Sequence, residues 1–171
     1  MLPKYHILLG FFFALFLFFI FPKIEVVGFL IIFLSSFLID IDHYIYYVFK
    51  KRDLSLKNAY SWFIQKRKKY LVLSRKKRNE VYFEIYFFHG IEPLLILFVL
   101  GVYVSEYFFY ILIGFAFHLF LDIIHQRKFH DRLDRISLIY DFIKFKKFRI
   151  YWRRTKEIIK KEEDIFGVGC F

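Results

Sequence analysis

Cysteine is almost absent from this chain. Cys170 is the single one in 171 residues. One thiol forms no internal disulfide and builds no cysteine-rich zinc module. Few small residues mark a helix-packing surface, so the order in which helices pack is not legible. No internal repeat and no Ser/Gly-rich linker divides the sequence. The net charge is +11, yet no nucleic-acid recognition motif accompanies it, so specific nucleic-acid binding is not expected. The first apolar run lacks the small-residue cleavage pattern of a secretory signal.

What is present is apolar. Hydrophobic residues make up 58% of the chain and aromatics 25%, including 27 Phe. A soluble domain of this length buries only part of its chain and could not hide that much apolar surface. Four apolar runs stand out: His6–Phe21, Ile24–Tyr47, Val81–Val104 and Tyr107–Ile124. A helix needs about 20 residues to cross the hydrocarbon core, so the first run is short and the others suffice. Pro22-Lys23 leads straight into the second run, so the first is read as a retained helix. The fold class expected is an all-α integral membrane protein. About four transmembrane helices occupy 1–125, with a basic cytoplasmic loop at 50–80. A basic amphipathic tail at 126–171 lies in the membrane interface.

Charge orients this arrangement. Twelve Lys and Arg lie between Lys50 and Arg78, thirteen follow His125, and Lys4 precedes the first run. With four crossings all of these fall on one side and Lys23 alone on the other. The positive-inside rule then puts both termini in the cytoplasm and the protein in the cell membrane. Anionic lipid headgroups are the expected partner of the basic segments. In the loop, Asp53 or Ser55 suits the cap of a short helix through Trp62 and Phe63. The clusters Lys66-Arg67-Lys68-Lys69 and Arg75-Lys76-Lys77-Arg78 follow. In the tail, Phe129, Leu133, Ile136, Tyr140 and Ile143 recur at steps of three and four, the pattern of an interfacial helix.

The ionisable residues inside the apolar runs gather on that same cytoplasmic side. His6 opens the first run; Asp40, Asp42 and His43 close the second; His89 and Glu92 open the third; His118, Asp122 and His125 close the fourth. Such residues are costly in a bilayer and mark functional sites. His118, Asp122 and His125 share one helical face, since steps of four and seven residues return near the starting angle. Asp40 and His43, three apart, also share a face. Asp42 points elsewhere, as an outer partner or a ligand to a second metal. Gly90 and Pro93 break the third run, and Pro93 suits the first turn of a restarted helix. Glu92 is read as ligand or general base, and Glu84 as a surface charge. His6 rests on its side of the membrane alone, and His130 is read as interfacial. Nitrogen and carboxylate donors without thiolate suit a divalent metal: zinc first, with manganese or iron as alternatives.

In that order and on one side, His6, Asp40-Ile41-Asp42-His43, His89-Gly90 and His118-Leu119-Phe120-Leu121-Asp122 resemble the motifs of the YdjM-like family of predicted membrane-bound metal-dependent hydrolases. The resemblance runs through His125. It departs at the third motif, where Phe88-His89-Gly90-Ile91-Glu92 stands in place of a His-Arg-Gly-x-Thr-His stretch. It implies a hydrolase; the residues themselves offer His6, Asp40, His43, His89, His118, Asp122 and His125 as metal ligands and Glu92 or Asp42 as base. At headgroup depth the substrate expected is a small molecule or a lipid or lipid-linked ester or phosphoester. A metal or proton carrier using the same residues, and a non-enzymatic scaffold recruiting partners through its basic loops, are the alternatives. Oligomeric state is not legible.

The topology is directly testable. Cys170, and a cysteine placed at Lys57 in a Cys170→Ser background, are expected to react with a membrane-impermeant maleimide from the cytoplasmic face. A cysteine at Lys23 is expected to react from the other face. Reaction of positions 57 and 170 from opposite faces contradicts an even number of crossings.

Overall fold

The computed structural model describes residues 3–74, 86–129, 137–147 and 157. The cluster at 75–78, Glu84, the start of the third run at 81–85, His130, Leu133, Ile136 and Cys170 lie outside them. Seven helices occur among the described residues, and no strand. They are α1 (Pro3–Ile20), α2 (Val26–Leu38), α3 (Ile41–Lys51), α4 (Leu56–Val72), α5 (Ile91–Tyr103), α6 (Tyr107–Phe129) and α7 (Leu138–Lys147). The all-helical class expected from the sequence is what the chain adopts.

Helix α2 is the centre of the bundle. It packs most extensively on α6 and then on α1, while α5 packs on α6 and α4 on α3. Ala14, Ile24 and Ile32 are buried at the core, flanked by Phe13, Phe29 and Phe33. The Phe13 and Phe117 rings stack 3.9 Å apart and tie α1 to α6. Backbones approach closely where small residues meet. A Cβ on Gly10 of α1 would collide with the Ser36 hydroxyl, and one on Gly114 of α6 with that of Ser35. The serines sit there at no polar cost, because each hydroxyl bonds a carbonyl one turn back: Ser35 to Ile32 at 3.1 Å and Ser36 to Phe33 at 2.7 Å. Small residues do mark the interfaces, a signal that their low number conceals in the sequence.

The second apolar run is not one regular helix. Around Ile39 and Asp40 the bonds tighten to three-residue steps, from Asp40 N–H to the Phe37 carbonyl (3.2 Å) and from His43 N–H to the Asp40 carbonyl (3.1 Å). This turn separates α2 from α3 and re-aims the side chains after it. Helix α3 ends on Arg52 in the left-handed region, φ 54°. Ser55 then caps α4, accepting from the Asn58 N–H at 3.3 Å. Asp53 accepts from the Ser55 N–H, the Asn58 amide and the Tyr47 hydroxyl. Those donors, the Tyr47 hydroxyl foremost, hold the Asp53 carboxyl below the usual carboxylate range.

Three stretches are long and apolar enough to cross a membrane: Pro3–Ile20, Val26–Lys51 and Tyr107–Lys128. Among the described residues the fourth expected crossing comprises α5, which has 13 residues. At 1.5 Å per residue that is about 20 Å, less than the ~30 Å hydrocarbon core. Its start follows the expected break: Gly90 precedes the first turn in extended conformation and Pro93 sits inside that turn. Helix α6 runs past His125 to Phe129, and the tail resumes as α7. Large apolar side chains are exposed along the outer faces of α1 and α5, including Phe12, Phe16, Leu95 and Ile96. A surface of that kind belongs against lipid, and the chain is a membrane protein on this ground.

The α2–α6 contact is the most sensitive to added volume. Gly114→Ala is expected to cost about 1–3 kcal/mol, because the new methyl also meets the Ile32 carbonyl, a backbone atom, at 2.6 Å. Thermal unfolding in detergent should show a lowered midpoint. An unchanged midpoint would mean that the helices separate freely at this point.

Candidate metal centre

Four separate parts of the bundle deliver the polar cluster to one end. His6 lies in the first turns of α1, Asp40 in the turn between α2 and α3, and Asp42 and His43 in the first turn of α3. His89 precedes α5, and His118 and Asp122 lie one helical turn apart on α6. These side chains form two adjoining triplets with metal-ligand spacing, His6–His118–Asp122 and Asp40–His43–His89.

The triplets share their carboxylates. Asp122 stands 3.3 Å from His6 Nε2, 3.6 Å from His118 Nε2 and 3.8 Å from His89 Nε2. Asp40 Oδ1 stands 3.5 Å from both His89 Nε2 and His118 Nε2. Three imidazole nitrogens and two carboxylates thus face a common point, at separations too long for good hydrogen bonds. Four donors around one ion with bonds of 2.0–2.2 Å would themselves lie roughly 3.3–3.6 Å apart. His6 and His118 are fully buried, and neither ring nitrogen of His6 nor Nε2 of His118 has a hydrogen bond. Buried nitrogens are expensive to leave so. The residues present therefore fit a divalent metal.

The partners behind the imidazoles set which nitrogen faces inward. His118 Nδ1–H donates to the Ser36 carbonyl at 2.8 Å, which leaves the lone pair on Nε2. His89 Nδ1–H donates to Asp42 Oδ2 at 3.0 Å, with the same result. This is the outer arrangement that orients metal-binding histidines. The His6 and His118 rings stack at 3.9 Å, and His89 meets His118 edge-on at 5.2 Å.

Asp42 takes one of the places expected for it, that of an outer partner behind the imidazoles. The turn at Ile39–Asp40 swings it inward. One carboxylate oxygen accepts from His43 Nδ1 at 2.7 Å, and the other from His89 Nδ1 and the Phe88 N–H, both at 3.0 Å. It positions two imidazoles and the loop before α5. Glu92 is committed elsewhere. Its oxygens accept from the Ser137 hydroxyl (2.6 Å) and the N–H groups of Leu138 (2.9 Å) and Ile139 (3.1 Å). It caps α7 and joins neither triplet. His125 stays on the α6 face below Asp122 and also lies outside both triplets. His43 belongs to the second triplet, but its Nδ1 is taken by Asp42 and its ring stacks on Tyr86 at 3.7 Å.

His6, the residue with the weakest sequence support, is central. The signal for it was present at steps of four: His6, Gly10 and Ala14 are the buried residues of α1. They form one narrow face against α2 and α6. The Ser36 carbonyl has no such signal, because any residue supplies a carbonyl.

No protein-family model, no curated protein and no solved structure matches this chain.

If Asp42 sets the direction of His89, its loss should weaken a metal without removing a ligand. Asp42→Asn is expected to lower zinc affinity about 10–100-fold, measured by competition with a chromophoric chelator, with helical circular dichroism retained. Unchanged affinity in the folded variant would show that His89 is held by other contacts.

Proposed function

We propose that this protein is a membrane-embedded, metal-dependent hydrolase whose site opens at the cytoplasmic end of its helices. The observation that carries this reading is the convergence of His6, His89 and His118 Nε2 on the carboxylates of Asp40 and Asp122. The five side chains would hold a divalent ion, zinc first and manganese or iron next by the donor set, which would supply an activated water and a Lewis acid for the scissile group; Asp42 and the Ser36 carbonyl fix the rings. Two adjoining triplets accommodate one ion or two. His43 is the most open member of the cluster, with its side chain 24% exposed. Its Nδ1–H goes to Asp42, so Nε2 keeps the lone pair, and this ring joins Asp42 and Glu92 as a candidate proton acceptor. The order of motifs shared with the YdjM-like family supports the same reaction class by analogy.

The substrate follows from depth. On α6 Asp122 and His118 lie five and nine residues before Arg127, about one and a half and two and a half turns from the charged end, so a lipid or lipid-linked ester or phosphoester reaching in from the headgroups is the fitting class. Four crossings, with both termini in the cytoplasm, keep all of the basic segments on one face. A carrier needs access from both faces. Between Ile7 and Pro22, Val26 and Ile39, Leu94 and Ser105, and Tyr107 and Phe117 there is no Asp, Glu, His, Lys or Arg, so no chain of such residues leads to the far side.

Purified protein in lipid nanodiscs with zinc, manganese or iron is expected to hydrolyse a member of a panel of lipid esters and phosphoesters. The His118→Ala/Asp122→Ala variant should fall to background. Hydrolysis that persists with the fold intact contradicts the mechanism. Uptake of labelled metal into proteoliposomes without hydrolysis would replace it with transport.

A further inference from the structure

Glu92 and helix α7 form a device that the metal centre does not use. Both Glu92 oxygens are occupied by the first turn of α7 through Ser137, Leu138 and Ile139. A carboxylate at that end satisfies N–H groups that lack a helical partner and complements the helix dipole. Ser137 is also the cap of α7, its hydroxyl accepting from the Tyr140 N–H at 3.2 Å. Gly90 permits the approach, since a Cβ there would meet Leu138 Cγ at 2.7 Å. The tail is therefore latched to the turn that carries His89.

The latch fixes the level of α7. Glu92 lies in the first turn of α5, where the apolar run that enters the bilayer begins. On α7, Ile139, Tyr140, Phe142 and Ile143 are each at least 60% exposed. At 100° per residue these four span less than half of the helix circumference. The last four residues of α7 include Lys144, Lys146 and Lys147, and the chain beyond His125 carries thirteen Lys and Arg against seven Asp and Glu. An apolar face at the bilayer boundary, beside excess positive charge, suits insertion among anionic headgroups.

We propose that α7 is a membrane-surface helix, seated on anionic phospholipid and held beside the metal centre by Glu92. The interaction needs the chain to be membrane-embedded but not to be a hydrolase. Basic side chains near such a surface are drawn to its negative charge, so the seating depends on lipid charge. Glu92 is a positioning residue: it ties the lipid-bound helix to the Phe88–Gly90 turn.

The test uses the full chain in a Cys170→Ser background, with nitroxide labels at Ile139→Cys and Ile143→Cys and a reference label at Phe16→Cys. Collision with oxygen and with a water-soluble nickel chelate is measured in phosphatidylcholine vesicles, with and without phosphatidylglycerol. With phosphatidylglycerol, labels 139 and 143 are expected to shift several-fold toward oxygen, and Glu92→Gln to reverse much of that shift. Label 16 should read hydrocarbon throughout. Chelate access at 139 and 143 in both vesicle types, with label 16 in hydrocarbon, overturns the seating alone. Label 16 in water overturns the membrane reading and the seating with it. Insertion indifferent to Glu92→Gln overturns the latch. Protection that follows protein density and not phosphatidylglycerol assigns the face to a second copy of the chain and overturns the lipid assignment.

Discussion

The fold is organised around one constraint: imidazoles and carboxylates must be kept together inside an apolar bundle. An isolated charge in such surroundings costs several kcal/mol after relaxation. His6, His89 and His118 are nearly or wholly buried, and Asp40, Asp42 and Asp122 stand among them. Their positions are bearable because each ring and carboxylate leans on another, and a cation at their common point would complete the set. Removing one member leaves the others without compensation, so the cluster behaves as a unit.

The helical framework serves that convergence. Glycines and serines let α1 and α6 press onto α2, and that closeness brings His6 and His118 into stacking contact. The irregular turn at Ile39–Asp40 adds what a straight helix lacks, with Asp40 aimed at the centre and Asp42 aimed at the rings behind it. The break before α5 does the same for His89. Two departures from regular helix thus lie at the site, where local regularity yields to function.

Much of this was legible in the sequence. Apolar runs and basic flanks gave the helical membrane class, and the side shared by the motifs gave Asp40, His89, His118 and Asp122 as neighbours. Ser55 was readable as a cap from residue type alone. What escaped depended on three dimensions. Asp42 was readable as an outer partner, but the turn that aims it there arises from backbone bonds that tighten where no proline or glycine announces it. The contacts of Glu92 were not readable either, because its partners lie 45 to 47 residues away. His6 was underrated because one histidine near a helix start has no periodic company except the small residues Gly10 and Ala14.

Metal content is the measurement closest to the centre of this account. Protein purified in mild detergent, loaded with zinc, manganese or iron and freed of excess, is analysed by mass spectrometry beside folded His118→Ala/Asp122→Ala protein. The account expects one or two equivalents of one metal in the native chain and none in the variant. No metal in either, with both folded, would contradict it and leave the cluster as a polar contact between helices.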